Sequence, residues 1–169
     1  MKLIDPSRGT DMPGRIALKL NKTFYKGFKG FDPERTIIIT GSNGKSTTTN
    51  LLNHVLEKNG YKVASNLKGS NMLNGATTIF CKNSTMGGRL NADYYLIEAD
   101  ERSFPDIYKA FPARHVMVTN IMQDQVHRNG EPDFIYSLLH RSFNSDMHLY
   151  LNDHEPRSKS YEDISEVVH

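Results

Sequence analysis

The sequence holds a single cysteine, Cys81, and no tryptophan among its 169 residues. One thiol excludes an internal disulfide framework and suits a reducing compartment. No apolar run approaches the roughly 20 residues needed to span a bilayer. The N-terminal MKLIDPSRGT also lacks the apolar core of a secretory leader. A cytoplasmic protein without a transmembrane segment is therefore expected. Charge of one sign is scarce as well: 21 Lys and Arg face 19 Asp and Glu, a formal net charge of +2. That balance calls for no nucleic-acid partner. Internal repeats and low-complexity tracts are missing too.

What is present fits one soluble globular domain, with 37% hydrophobic and 24% charged residues. The basic residues are unevenly spread: positions 1–35 carry eight basic and four acidic side chains. Phe24, Tyr25, Phe28 and Phe31 alternate there with Lys19, Lys22, Lys26 and Lys29. We read residues 1–35 as an amphipathic lead-in packed on the domain; attraction to RNA or to an anionic membrane surface is the alternative. A place near the inner face of the membrane would follow from the latter.

From residue 36 onward, β-rich runs alternate with helical patterns, which predicts an α/β fold with a parallel sheet flanked by helices. Strands are expected at 36–40, 61–65, 94–100, 115–120 and 147–152. TIIIT at 36–40 is apolar through its centre, as in a strand covered on both faces. Helices are expected at 46–59, with Leu51, Leu52, Val55 and Leu56 on one face, and at 103–111 and 133–143. The run 72–81 fits helix or strand, and helix is preferred. The polar tail turns apolar at Val167 and Val168, as if a further strand began there. This leads us to expect a domain over 36–169 that is incomplete at its C-terminal end.

The most informative stretch is TIIITGSNGKSTTTN, residues 36–50. A strand, a glycine-containing loop, Lys-Ser and a helix put backbone N–H groups and a helix N-terminus around a phosphate. Gly44 would let the backbone approach the anion, Lys45 would supply a point charge, and the Ser46 hydroxyl would ligate Mg²⁺. The longer pattern G-x-x-x-x-G-K-[ST] is not met, because Ile39 stands at its first glycine. A turn that merely precedes a capped helix is the bland alternative. Glu98 ends an apolar strand, where ligands of parallel sheets gather, and a carboxylate there can complete a Mg²⁺ site. Asp100 and Glu101 read as solvated loop acids. The histidines show no metal-binding spacing, so zinc is not expected.

Three blocks together resemble the Mur ligase family, which joins amines to carboxylates in peptidoglycan synthesis. GSNGKST (41–47) resembles its ATP loop, YLIEADE (95–101) its Mg²⁺-binding strand end, and TNIMQDQVHRNGE (119–131) its T-N-I-x-x-D-H block. The resemblance implies ATP at Gly41, Ser42, Asn43, Gly44, Lys45, Ser46 and Thr47. It implies Mg²⁺ at Ser46 and Glu98, with Gln125 as a further ligand, and a substrate side at Asn71, Asn120 and Asp124. No catalytic residue is assigned.

Within the family the sequence is most similar to synthase subunits of lipid II isoglutaminyl synthases. GTDMPGRIALKL (9–20), GSNMLNG (69–75) and the pair Asp124-Gln125 carry that similarity. It implies ATP-dependent amidation of the D-glutamate α-carboxylate of lipid II through an acyl phosphate. A separate glutamine amidotransferase subunit of the GatD type would supply the ammonia. His127 departs from the family's second aspartate. Residues 120–150 hold no lysine, although most family members carry a carbamoylated one there. The alternatives are a ligase adding an amino acid, as in folylpolyglutamate synthesis, a non-catalytic nucleotide-binding fragment, or a nucleotide kinase.

Overall fold

Six short runs rich in β-branched and aromatic residues pair side by side, all parallel, in a computed structural model describing residues 11–67, 69–121, 132–164 and 166–168. In chain order they are β1 (Thr36–Thr40), β2 (Val63–Ser65), β3 (Tyr94–Glu98), β4 (His115–Val118), β5 (His148–Leu151) and β6 (Glu166–Val168). The sheet order is β2-β3-β1-β4-β5-β6, so β1 lies inside the sheet with β3 and β4 as neighbours. The five expected strands are all there, β1 with the bounds expected and the other four slightly shorter. The apolar turn at Val167 and Val168 is β6, paired to β5.

Helices α1 (Met12–Leu20), α2 (Lys45–Lys58), α3 (Leu73–Lys82), α4 (Phe104–Ala110), α5 (Pro132–Ser142) and α6 (Pro156–Lys159) complete the described residues. The ambiguous run at 72–81 is helical. Residues 75–80 are all buried, because α3 is covered by α1 as well as by the sheet.

Register decides which face is the core. Ile38 lies opposite Ile97 and Val116, and Val116 opposite Leu149. These side chains meet Phe80, Phe104, Ile107, Leu139 and Phe143 from α3, α4 and the end of α5. The Phe80 ring stacks on Phe111 at 4.1 Å and on Tyr95 at 4.4 Å. Tyr25, Phe28 and Phe31, partly buried, pack against this cluster, whereas Phe24 and the lysines of the lead-in stay exposed. Helix α1 is tied to α3 where Gly14 N donates to Thr78 Oγ1 at 2.9 Å.

The opposite face is covered mainly by α2, which packs on β1, β2 and β3. Here one expectation needs correction. Leu51 and Val55 are 65% and 46% exposed, and only Leu52 and Leu56 of the expected apolar face are partly covered. The helix instead turns Thr49 inward, fully buried, its hydroxyl bonded to Lys45 O at 2.8 Å. Ile135 and Leu139 of α5 are buried, as is Phe143 just past its end, whereas Phe134 is exposed with Arg102 5.6 Å above its ring.

Candidate functional site

The carboxyl ends of β1, β3 and β4 converge on the loop between β1 and α2. Two glycines set its path. Gly41 has φ +122°, and a Cβ there would meet Thr119 Oγ1 at 2.4 Å and Asn120 O at 2.7 Å. Gly44 has φ +84° and caps α2, but the nearest atom to its missing Cβ is 4.0 Å away. The first glycine is thus required by packing. The second keeps the helix N-terminus open on the side an anion would approach.

The end of β4 holds the loop in shape. Ser42 N donates to Asn120 O at 2.8 Å, and Asn43 N donates to Asn120 Oδ1 at 3.0 Å. In return Thr119 Oγ1 and Asn120 Nδ2 donate to Asn43 O, at 2.6 and 3.0 Å. Asn120, expected on the substrate side, is therefore a scaffold for the loop itself. A groove of about 540 Å³ opens beside it, lined by Asn43, Gly44, Thr48, Thr119, Asn120 and Asn152 among others. A hollow of about 620 Å³ between residues 21–28 and 81–88 lies apart from the loop.

Lys45 and Ser46 open α2 and face the acids at the end of β3. The Lys45 ammonium donates to Gly41 O and to Ser42 O, the latter at 3.2 Å, and stands 3.8 Å from Glu101 Oε2. Ser46 Oγ donates to Glu98 Oε1 at 3.1 Å. Neighbouring ligands of an octahedral Mg²⁺ lie about 2.9 Å apart, given metal–oxygen bonds of about 2.0–2.1 Å. The 3.1 Å between the two oxygens, spanned here by a hydrogen bond, is compatible with that spacing. Among the described residues, no group of three or more His, Cys, Asp or Glu side chains gathers as a metal cage.

Two acids behave differently from each other. Asp100 accepts from Arg102 N at 3.0 Å and shapes the loop, as expected of a loop acid. Glu101 does not fit that description. It is 1% exposed, and among the described residues its Oε1 has no hydrogen-bond partner. The bend after β3 turns it inward beneath Lys45, a relation across two strands that local sequence cannot show.

Asn66, at the end of β2, escaped notice in the sequence. Its Nδ2 donates to Glu98 O at 2.8 Å and to Ser70 O at 2.9 Å, while its Oδ1 accepts from Glu98 N at 2.7 Å. Its position just past a strand end was the available signal. Asn71 follows in the same loop, and its carbonyl accepts from Asp100 N at 2.8 Å. The loop 69–75 is thereby tied to the Glu98 corner. Asp124, Gln125 and His127 lie outside the described residues.

A parallel sheet with a glycine loop feeding a helix, backed by an acid from the adjacent strand, defines a phosphate-loop α/β domain. Family comparison narrows this class. Residues 39–137 match the Mur ligase middle domain, and the chain belongs to that family. The MurT subunit of lipid II isoglutaminyl synthase from Staphylococcus aureus is 33% identical over 88% of this chain and 33% of its own length. The Streptococcus pneumoniae MurT subunit is 32% identical over 78% of this chain and 29% of its own. The chain thus spans about a third of the length of these curated relatives. Among solved structures, the MurF ligase of Thermotoga maritima in complex with ADP superposes with a TM-score of 0.63. That match, at 16% identity, covers 99% of this chain and 37% of the other, and shows a shared fold.

Proposed function

We propose that the protein supplies the ATP-binding part of a ligase that amidates the α-carboxylate of D-glutamate in lipid II. The observation that carries the nucleotide reading is the meeting of the Gly41–Thr47 loop with the Ser46–Glu98 pair. Its backbone N–H groups and the α2 N-terminus are suited to phosphate oxygens, and Lys45 brings the cation. Mg²⁺ at Ser46 and Glu98 would neutralise charge on the transferring phosphoryl group. Loop and helix fix that group's position, the main task in phosphoryl transfer.

The chemistry follows from the acceptor. A carboxylate is a poor electrophile, so its oxygen attacks the γ-phosphorus and ADP departs, leaving an acyl phosphate. Ammonia then attacks the acyl carbon, phosphate leaves, and a proton is lost. The similarity to the MurT subunits supports lipid II as acceptor and a GatD-type glutaminase as the source of ammonia. Lys-free residues 120–150 support ammonia over an amino acid, since the carbamoylated lysine of amino-acid-adding relatives has no counterpart there.

The reading is tested with lipid II, Mg-ATP and ammonium, with and without the glutaminase subunit, by mass analysis of the stem peptide. The chain alone is expected to bind ATP without turnover, and amidation is expected once it is part of a ligase that closes over the nucleotide. Product formed only with an added amino acid would replace the amidation reading with a ligase of the amino-acid-adding type.

A further inference from the structure

We propose that Glu101 is the counter-ion with which nucleotide phosphates compete for Lys45, so that it limits which anions the loop accepts. The inference rests on the reading of Gly41–Thr47 as a phosphate loop and adds a selectivity residue to it.

The case starts from donor capacity. A lysine ammonium has three N–H bonds and no acceptor. Here two carbonyls accept from it, Gly41 O and Ser42 O, the latter at 3.2 Å, while Glu101 Oε2 stands 3.8 Å away as an ion-pair partner beyond hydrogen-bonding reach. The Lys45 side chain is only 12% exposed, so water has little room to compete. A phosphate oxygen taken up by the remaining N–H must therefore share the ammonium's charge with Glu101.

The partners of Lys45 are unequal rivals. The two carbonyls are dipoles, whereas Glu101 carries a full charge in a pocket where its side chain is 2% exposed. Among the described residues its second oxygen has no hydrogen-bond partner, so Lys45 supplies most of its compensation there. The nearby Glu98 carboxylate adds negative charge and is engaged with Ser46 Oγ instead. Drawing Lys45 outward leaves Glu101 poorly compensated. A ligand with several negative charges can offset that loss, and a weakly charged one cannot. Glu101 thus favours triphosphates over inorganic phosphate at the same loop.

The test is a thermodynamic cycle of wild type, Glu101→Gln, Lys45→Ala and the double variant, titrated with Mg-ATP and separately with inorganic phosphate. Removing the carboxylate charge while keeping its shape is expected to tighten ATP binding by about three- to tenfold. Inorganic phosphate should gain proportionally more. Both gains should vanish when Lys45 is alanine. Unchanged or weaker ATP binding by Glu101→Gln overturns the proposal, as does a gain that persists without Lys45. Wild type that binds no ATP overturns the phosphate-loop reading instead. Should Glu101→Gln fail to melt cooperatively, Glu101→Asp decides: it withdraws the carboxylate by one methylene and should tighten ATP binding by a smaller factor, with no change counting against the proposal.

Discussion

Asn66 brackets Glu98, taking its backbone N–H at 2.7 Å and giving a hydrogen bond to its carbonyl at 2.8 Å. Through these contacts the edge strand β2 fixes the corner where β3 delivers its carboxylate to Ser46. Asn66→Ala would leave Glu98 N and Ser70 O short of partners at a site 7% exposed. It should cost about 2–3 kcal/mol of stability in urea unfolding and weaken the Mg²⁺-dependent part of ATP affinity. Unfolding curves that superpose on wild type would refute this role.

The two loop glycines should respond differently to alanine. At Gly41 the added Cβ meets Thr119 Oγ1 and Asn120 backbone at 2.4–2.9 Å, on top of an unfavourable φ. At Gly44 only the φ of +84° is strained. Gly44→Ala should cost about 1 kcal/mol and act chiefly on ligand binding. Gly41→Ala should lower the melting temperature distinctly more, and the reverse ranking would contradict the packing described for Thr119.

Lys45→Ala removes the loop's ammonium while leaving its backbone N–H groups. ATP affinity should fall at least tenfold, about 1.4 kcal/mol, with adenosine affinity nearly unchanged. Equal ATP affinity in calorimetric titration of the two proteins would remove Lys45 from the site.

His115 sits at the other end of β4, its Nδ1 2.9 Å from Tyr150 OH and its ring 5.6 Å from that of His148. Burial pushes its pKa below 6.5, helped by His148 and Arg114 and opposed by Glu34. The unfolded chain therefore binds the proton more readily than the folded one between the folded pKa and 6.5. Stability contributed by neutral His115 is complete above about pH 6.5 and declines as pH falls below it. His115→Gln should flatten this acid-side slope in denaturant titrations across pH 7.5 to 5, and an unchanged slope would assign it to other groups.

Much of the sheet was legible because its strands are short apolar runs set off by glycine and polar turns, and TIIIT is the clearest. The path of the loop was legible for a related reason, since Gly41 and Gly44 separate an apolar strand from a helical pattern. Periodicity misled at Leu51 and Val55. An apolar stripe shows which helix face prefers burial, but not how much sheet lies beneath it. Glu101 and Asn66 were illegible for a different reason. Their roles depend on which strands are neighbours, and that order, β2-β3-β1-β4, is a property of the folded sheet.

Asn43 borrows its hydrogen-bond partner from a residue 77 positions further along the chain. During synthesis, the loop therefore leaves the ribosome well before the strand that gives it shape. A nascent chain that ends between residues 48 and 118 contains the whole GSNGKST segment but no Thr119-Asn120 clamp. Such a long-range closure is among the slower steps of folding, since distant segments must meet first. Nucleotide would thus act on folding from its late side, favouring chains in which β4 has already docked against β1.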